Sequence, residues 1–226
     1  MDLKKEIKTE QEKMKQMSGR DLIWYIWEYY KFHILAIALT VMAVWLIAVT
    51  VYRQSFSTRL SLAVINDRSG GAGSLNDLED ELCQALGCGK KERIDLNEGL
   101  FISYDEESMS QYSYASMAKI SALVSGNALD IMIADGQTLE HYSQLSAFED
   151  LKTLLTPKQL KALEDHLFYT ESESGEKTAV GLSLDSSFFE EKTGILMEPP
   201  YLAVITSSPH TEDILRTIDW LFDLQP

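Results

Sequence analysis

The stretch Ser125-Gly126-Asn127-Ala128-Leu129-Asp130-Ile131-Met132-Ile133-Ala134-Asp135-Gly136 decides the fold of the larger part of the chain. Gly126-Asn127 stops the helical pattern of residues 109–125, in which Met117, Ile120 and Val124 recur at helical spacing. Leu129 to Ala134 is then a short apolar run of strand length, and Asp135-Gly136 turns the chain into a second helix over about residues 137–145. The same alternation extends outward on both sides. Upstream, an apolar strand at 60–65 and a loop at 66–73 precede a helix at 75–86. That helix keeps Leu75, Leu78, Leu82 and Leu86 on one face, with Ser74 or Asn76 as cap and Gly87 or Gly89 as stop. A strand around 93–103 follows, with Asn97-Glu98-Gly99 predicting a bend or bulge. Downstream, Thr156-Pro157-Lys158-Gln159 predicts a capped helix start, residues 170–177 a polar acidic loop, and 179–184 and 201–206 two strands. Ser208-Pro209 predicts the start of a last helix that buries Ile214, Ile218, Leu221 and Phe222. Short apolar strands between helices predict a three-layer α/β domain with a mixed, partly parallel sheet.

In front of this domain, residues 34–52 (ILAIALTVMAVWLIAVTVY), opening at Ile34 and closing at Tyr52, are broken only by Thr40 and Thr50. Nineteen helical residues rise about 28 Å, close to the hydrocarbon thickness of a bilayer. A threonine hydroxyl is tolerable there because it can bond a carbonyl one turn back. Trp24, Tyr25, Trp27, Tyr29 and Tyr30 precede the run, as interfacial aromatics do. A cleaved signal peptide fits less well, because the leader exceeds thirty residues and Tyr52-Arg53-Gln54 is a poor cleavage context. The chain therefore divides into a charged helical tail at 1–31, a transmembrane helix at 32–53 and an α/β domain at 54–226, a signal-anchored, single-pass arrangement in which the bilayer is the first partner. The seven Lys and Arg of the tail place the N-terminus in the cytoplasm and the domain outside, although counts close to the span tie at two on each side.

The formal charge of -15 is unevenly shared. Residues 1–32 carry seven basic against six acidic side chains, and residues 53–226 carry 13 against 29, so the acidity belongs to the domain. Such a surface excludes phosphate-neutralising contacts with nucleic acid and electrostatic adhesion to anionic lipid.

No cofactor motif is visible. His33, His141, His166 and His210 form no HxxxH or HExxH pattern, no nucleophile elbow or P-loop occurs, and no metal-ligand spacing is present. Cys83 and Cys88 are too far apart for a disulfide on a continuous helix, but a chain reversal at Gly87-Cys88-Gly89 would close the gap. Two alternatives follow: a disulfide, or a buried Cys83 beside a loop thiol.

Three segments carry a resemblance. Ser125 to Asp135, then Ser146-Ala147-Phe148-Glu149-Asp150-Leu151, then Tyr201 to Ser208 with Glu212 and Ile218 to Phe222, resemble in order one lobe of an extracellular solute-binding protein of ABC transporters. The block from Tyr25 to Ile34 resembles a group of uncharacterised single-span membrane proteins of Gram-positive anaerobes. The resemblance implies a binding module rather than an enzyme. It departs from the family in length, since 173 residues do not hold two full lobes around a closed cleft.

The expected function is thus a membrane-anchored, extracytoplasmic, non-catalytic module that binds a small solute or an envelope protein. The alternative is a structural or regulatory subunit of a membrane complex with no small ligand. Ligands of open α/β sheets sit beyond the carboxyl ends of strands, which nominates Asn66, Asp67, Asp135, Asp185, Ser186 and Ser207. Each of these also suits a turn or a helix cap. A hydrolase would need a histidine beside an acid and a serine.

Overall fold

The computed structural model describes residues 19–69, 75–105, 109–171, 175, 177–184, 189, 191, 193–197, 199–206 and 208–224. The chain forms two compact units, Met1–Ser55 and Phe56–Pro226.

The described part of the first unit is one helix, α1 (Gly19–Gln54). Within it Lys31–Tyr52, 22 residues, is long and apolar enough to cross a membrane. A buried core helix would hide such side chains, yet Phe32, Ile37, Trp45 and Ile47 are 73%, 64%, 63% and 63% exposed. Thr40 Oγ1 and Thr50 Oγ1 donate to the carbonyls of Ala36 and Leu46, each at 2.8 Å, so neither hydroxyl is left bare on the apolar surface. The helix expected in the tail is described only from Gly19 onward.

The second unit is a six-stranded mixed sheet between two helical layers. Its elements are β1 (Ser57–Ile65), α2 (Leu75–Leu86), β2 (Glu92–Leu100), α3 (Gln111–Ser125), β3 (Ile131–Ala134), α4 (Gly136–Gln144), α5 (Leu151–Leu154), α6 (Pro157–Ala162), β4 (Leu167–Glu171), β5 (Lys177–Ser183), β6 (Tyr201–Val204) and α7 (Thr211–Leu221). The strand order is β2-β1-β3-β6-β5-β4. β1 runs parallel to both β2 and β3, whereas β6, β5 and β4 continue the sheet antiparallel.

The order of connections explains the layers. β1 leads outward to β2, and β2 leads back past β1 to β3, so right-handed crossovers put the two connecting helices on opposite faces. Leu78, Leu82 and Leu86 of α2 accordingly pack with Leu60, Leu62 and Val64, and Ile214, Ile218 and Leu221 of α7 join them. Ile120 of α3 and Leu139 and Tyr142 of α4 pack with Ala63 and Ile65 on the other face. All six residues from Leu60 to Ile65 are buried, the physical origin of a run that is apolar at every position but Ser61.

Several sequence expectations are met closely. Thr156 and Gln159 form a full capping box with Pro157 behind the cap. Glu98-Gly99 is a bulge: Ala63 pairs with Asn97 and Ile65 with Leu100, and Gly99 takes a left-handed φ of 67°. Two expectations fail. The loop expected at 170–177 is shorter, because Thr170 and Glu171 end β4 and Lys177 opens β5; β4 is an edge strand that its Leu-Phe-Tyr-Thr composition favours but its short, half-exposed alternation hides. Ser208 does not cap the last helix, whose N-cap is His210 without a side-chain cap bond. The Ser208 hydroxyl is instead held by Asp130.

Gly181 sets how closely α4 lies on β5. A Cβ at that position would stand 2.8 Å from Leu139 Cδ2 and 3.2 Å from the Leu202 carbonyl oxygen, and Leu139 is itself fully buried. Gly181→Ala is expected to lower the unfolding free energy by about 1–3 kcal/mol, the range for overpacking a tight core. Urea unfolding measures it, and an unchanged midpoint would show that α4 can lift away freely.

Candidate functional site

β1 and β3 end side by side, and their carboxyl ends open onto a cleft of about 600 Å³. One wall is the aromatic pair Phe168 and Tyr201, ring centroids 4.4 Å apart, brought in by the antiparallel half of the sheet. Phe101, 46% exposed, faces the cleft from the end of β2. Gly136, Gln137 and Glu140 line it from the first turns of α4, and Arg68 lines it from the loop after β1. Arg68 forms no ion pair with a described residue. The site therefore offers flat apolar surface, the cation of Arg68, the carboxylates of Asp135 and Glu140, and the amides of Asn66 and Gln137.

Of the nominated residues, Asn66 and Asp135 come together at this cleft, and both already have work to do. Asn66 takes a left-handed φ of 64° that an asparagine tolerates. From there its Nδ2 donates to Asp135 Oδ2 at 2.5 Å, its Oδ1 accepts from the Ile102 N–H at 2.8 Å, and its own N–H donates to the Leu100 carbonyl at 2.8 Å. One side chain thus ties together the ends of β1, β2 and β3. Asp135 caps α4, accepting from the Thr138 N–H at 2.9 Å and from the Thr138 hydroxyl at 3.2 Å. Asp67 accepts from the Ser69 N–H and hydroxyl and from the Leu196 N–H at 3.0 Å, fastening the loop to the segment before β6. These three are the frame of the cleft. Asp185, Ser186 and Ser207 lie outside the described residues. β6 runs opposite to β3, so Thr206 and Ser208 after it stand at the other edge of the sheet, away from Asn66.

Behind the frame, Tyr104 stacks against His141 with ring centroids 4.7 Å apart. Burial pushes the Tyr104 hydroxyl above the ordinary phenol range, and Tyr142 and Asp135 push it the same way. Burial likewise raises Tyr142 to about 12. Both stay neutral at physiological pH and act as packing groups.

The opposite edge holds the acid, serine and histidine that a hydrolase would need, in another arrangement. Asp130 is 2% exposed. It accepts from the Ser61 N–H at 2.7 Å and from the Ser208 hydroxyl at 2.5 Å, with His210 Nδ1 at 3.0 Å. Serine and histidine both bond the carboxylate, and Ser208 Oγ receives the His210 backbone N–H rather than its ring. A nucleophile needs its hydroxyl proton drawn by the base. Here that proton goes to a buried carboxylate that is occupied by the fold. Among the described residues no three His, Cys, Asp or Glu side chains converge as metal ligands do. Cys83 and Cys88 are free thiols.

Sequence reasoning missed the lining itself: Arg68, Phe101, Gln137, Glu140, Phe168 and Tyr201. Two of these, Arg68 and Gln137, stand one or two residues from a nominated position. The aromatics come from strands whose side-chain direction depends on a register that the sequence does not state. No protein-family model, curated protein or solved structure matches the chain.

Proposed function

We propose that this chain is a membrane-anchored, non-catalytic binding module, with its N-terminus in the cytoplasm and residues 54–226 outside, and that the cleft takes a small solute. The observation that carries this is the placement of the 600 Å³ cleft at the carboxyl ends of β1 and β3. The chain leaves β1 toward β2 on one side and reaches β3 on the other, and this switch is where open α/β sheets hold ligands. The lining supports a ligand with a flat apolar body and a charged or hydrogen-bonding end. Phe168, Tyr201 and Phe101 would cover the first, and Arg68 with Gln137 and Glu140 would meet the second. Asn66, Asp67 and Asp135 keep the frame rigid, which lowers the cost of ordering the site on binding.

The test is a thermal-shift screen of the full-length chain in nanodiscs against amino acids, sugars and short peptides. A member at a hundred times its dissociation constant stabilises the domain by about 2.7 kcal/mol, several degrees in a domain of this size. A panel with no shift at millimolar concentration removes small-solute binding and leaves the structural-subunit alternative.

A further inference from the structure

We infer that Cys83 and Cys88 are a redox couple, two thiols that the end of α2 holds in place to close into an intrachain disulfide. Helix α2 stops in a two-bond chain reversal. The Cys88 N–H donates to the Cys83 carbonyl at 2.8 Å, the Gly87 N–H donates to the Gln84 carbonyl at 3.2 Å, and Gly87 takes a left-handed φ of 67°. This is the Schellman stop, whose residues three before and two after the cap normally meet in an apolar contact. Here both partners of that contact are cysteines. Bond lengths on either side of the 2.8 Å hydrogen bond confine the two Cα atoms to within about 7 Å, the reach of a disulfide. Five residues on a straight helix would not satisfy this, and the glycine reversal does.

The turn is also fixed from outside. Arg59 on β1 binds both carboxylate oxygens of Asp213 on α7, at 2.9 and 3.0 Å, and reaches Glu92 Oε2 at 3.2 Å and the Gly87 carbonyl at 3.4 Å. Glu92 Oε2 in turn receives the Gly89 N–H at 2.7 Å. The residues on both sides of Cys88 are thereby pinned to β1, β2 and α7. Both sulfur side chains are partly exposed at the margin of the core, so an exchange partner can reach them. Burial, reinforced by a hydrogen bond with Cys83, holds the Cys88 thiol well above the ordinary range. A thiol so placed is a poor free nucleophile, which suits a bridge better than a catalytic cysteine.

The oxidant is a disulfide, either that of a thiol–disulfide oxidoreductase or a low-molecular-weight one. A thiolate of the pair attacks it, releasing one thiol and leaving a mixed disulfide. The second cysteine, losing its proton, displaces the other half as a second thiol. The chain loses two protons and two electrons, and the oxidant gains them.

The experiment uses the full-length chain in nanodiscs, reduced and then incubated with oxidised glutathione. Intact mass should fall by about 2 Da, maleimide should label neither cysteine, and the peptide map should join Cys83 to Cys88. The melting temperature should rise by about 5 °C relative to the reduced chain. Cys83→Ser should abolish both the mass loss and the rise. The inference is overturned if both cysteines remain alkylatable, if they appear only as separate glutathione adducts or interchain dimers, or if the bridge forms without raising the melting temperature. None of these outcomes depends on whether the cleft binds a solute.

Discussion

Replacement of Asp130 by alanine is expected to remove about 3–5 kcal/mol from the unfolding free energy of the unit Phe56–Pro226, as loss of one member of a buried polar network does. Asp130 is 2% exposed and stands just before β3. Its carboxylate satisfies the Ser61 N–H on β1, the Ser208 hydroxyl and His210 at the entrance to α7. Its backbone continues the same seam, its N–H donating to the Ser61 carbonyl at 3.0 Å and its carbonyl accepting from the Ile205 N–H at 2.9 Å. Alanine would leave the buried Ser61 N–H and the half-buried Ser208 hydroxyl without their acceptor and free the start of α7. Asparagine retains an acceptor and should cost about 1–2 kcal/mol. Urea unfolding followed by circular dichroism measures both. An alanine variant within 1 kcal/mol of the parent would show that water replaces the carboxylate at this edge.

The second large effect concerns α1. Val44→Asp with Ile47→Asp is expected to release the full-length chain from membranes. An acidic residue at the centre of a spanning helix costs about 2.5–3.5 kcal/mol to insert, so two cost about 6 kcal/mol. Both positions lie well inside Lys31–Tyr52 and both side chains are exposed, 61% and 63%, so no packing role within the unit confounds the result. After an alkaline wash the parent should remain with the membrane fraction and the double variant should appear in the supernatant. Equal retention of both would contradict a spanning role for this segment.

Much of the architecture could be read from residues alone because it rests on local signals. The runs Leu60 to Ile65 and Ile131 to Ala134 are apolar apart from Ser61 because helices cover both faces, and the Thr156 capping box and the Glu98-Gly99 bulge write their geometry into a few adjacent residues. What stayed hidden depends on long-range register. β4 pairs at the edge, where burial is partial and alternation weak. β6 runs antiparallel to β3, so the same strand-end rule that points to Asn66 and Asp135 beside the cleft points to the far edge after β6. Asp130 falls within the most informative stretch of the chain, yet its partners Ser61, Ser208 and His210 lie 69, 78 and 80 residues away. The site shows the same division. The polar frame follows from turn and cap chemistry at strand ends, whereas the aromatic wall requires Phe168 and Tyr201 to meet across strands separated in sequence.

The central claim is that the cleft at the ends of β1 and β3 is a binding site. It is tested most directly by measuring, in nanodiscs, the affinity of the solute that gives the largest thermal shift, for the parent chain, for Arg68→Glu and for Arg216→Glu. Arg68 lines the cleft. Arg216 lies on α7, paired with Glu212 at 2.7 Å, and is not part of its lining. Reversing the cleft's cation should weaken binding by at least about tenfold, the cost of losing one charge-assisted hydrogen bond, while Arg216→Glu should leave it unchanged. Equal affinities in all three proteins would contradict the account.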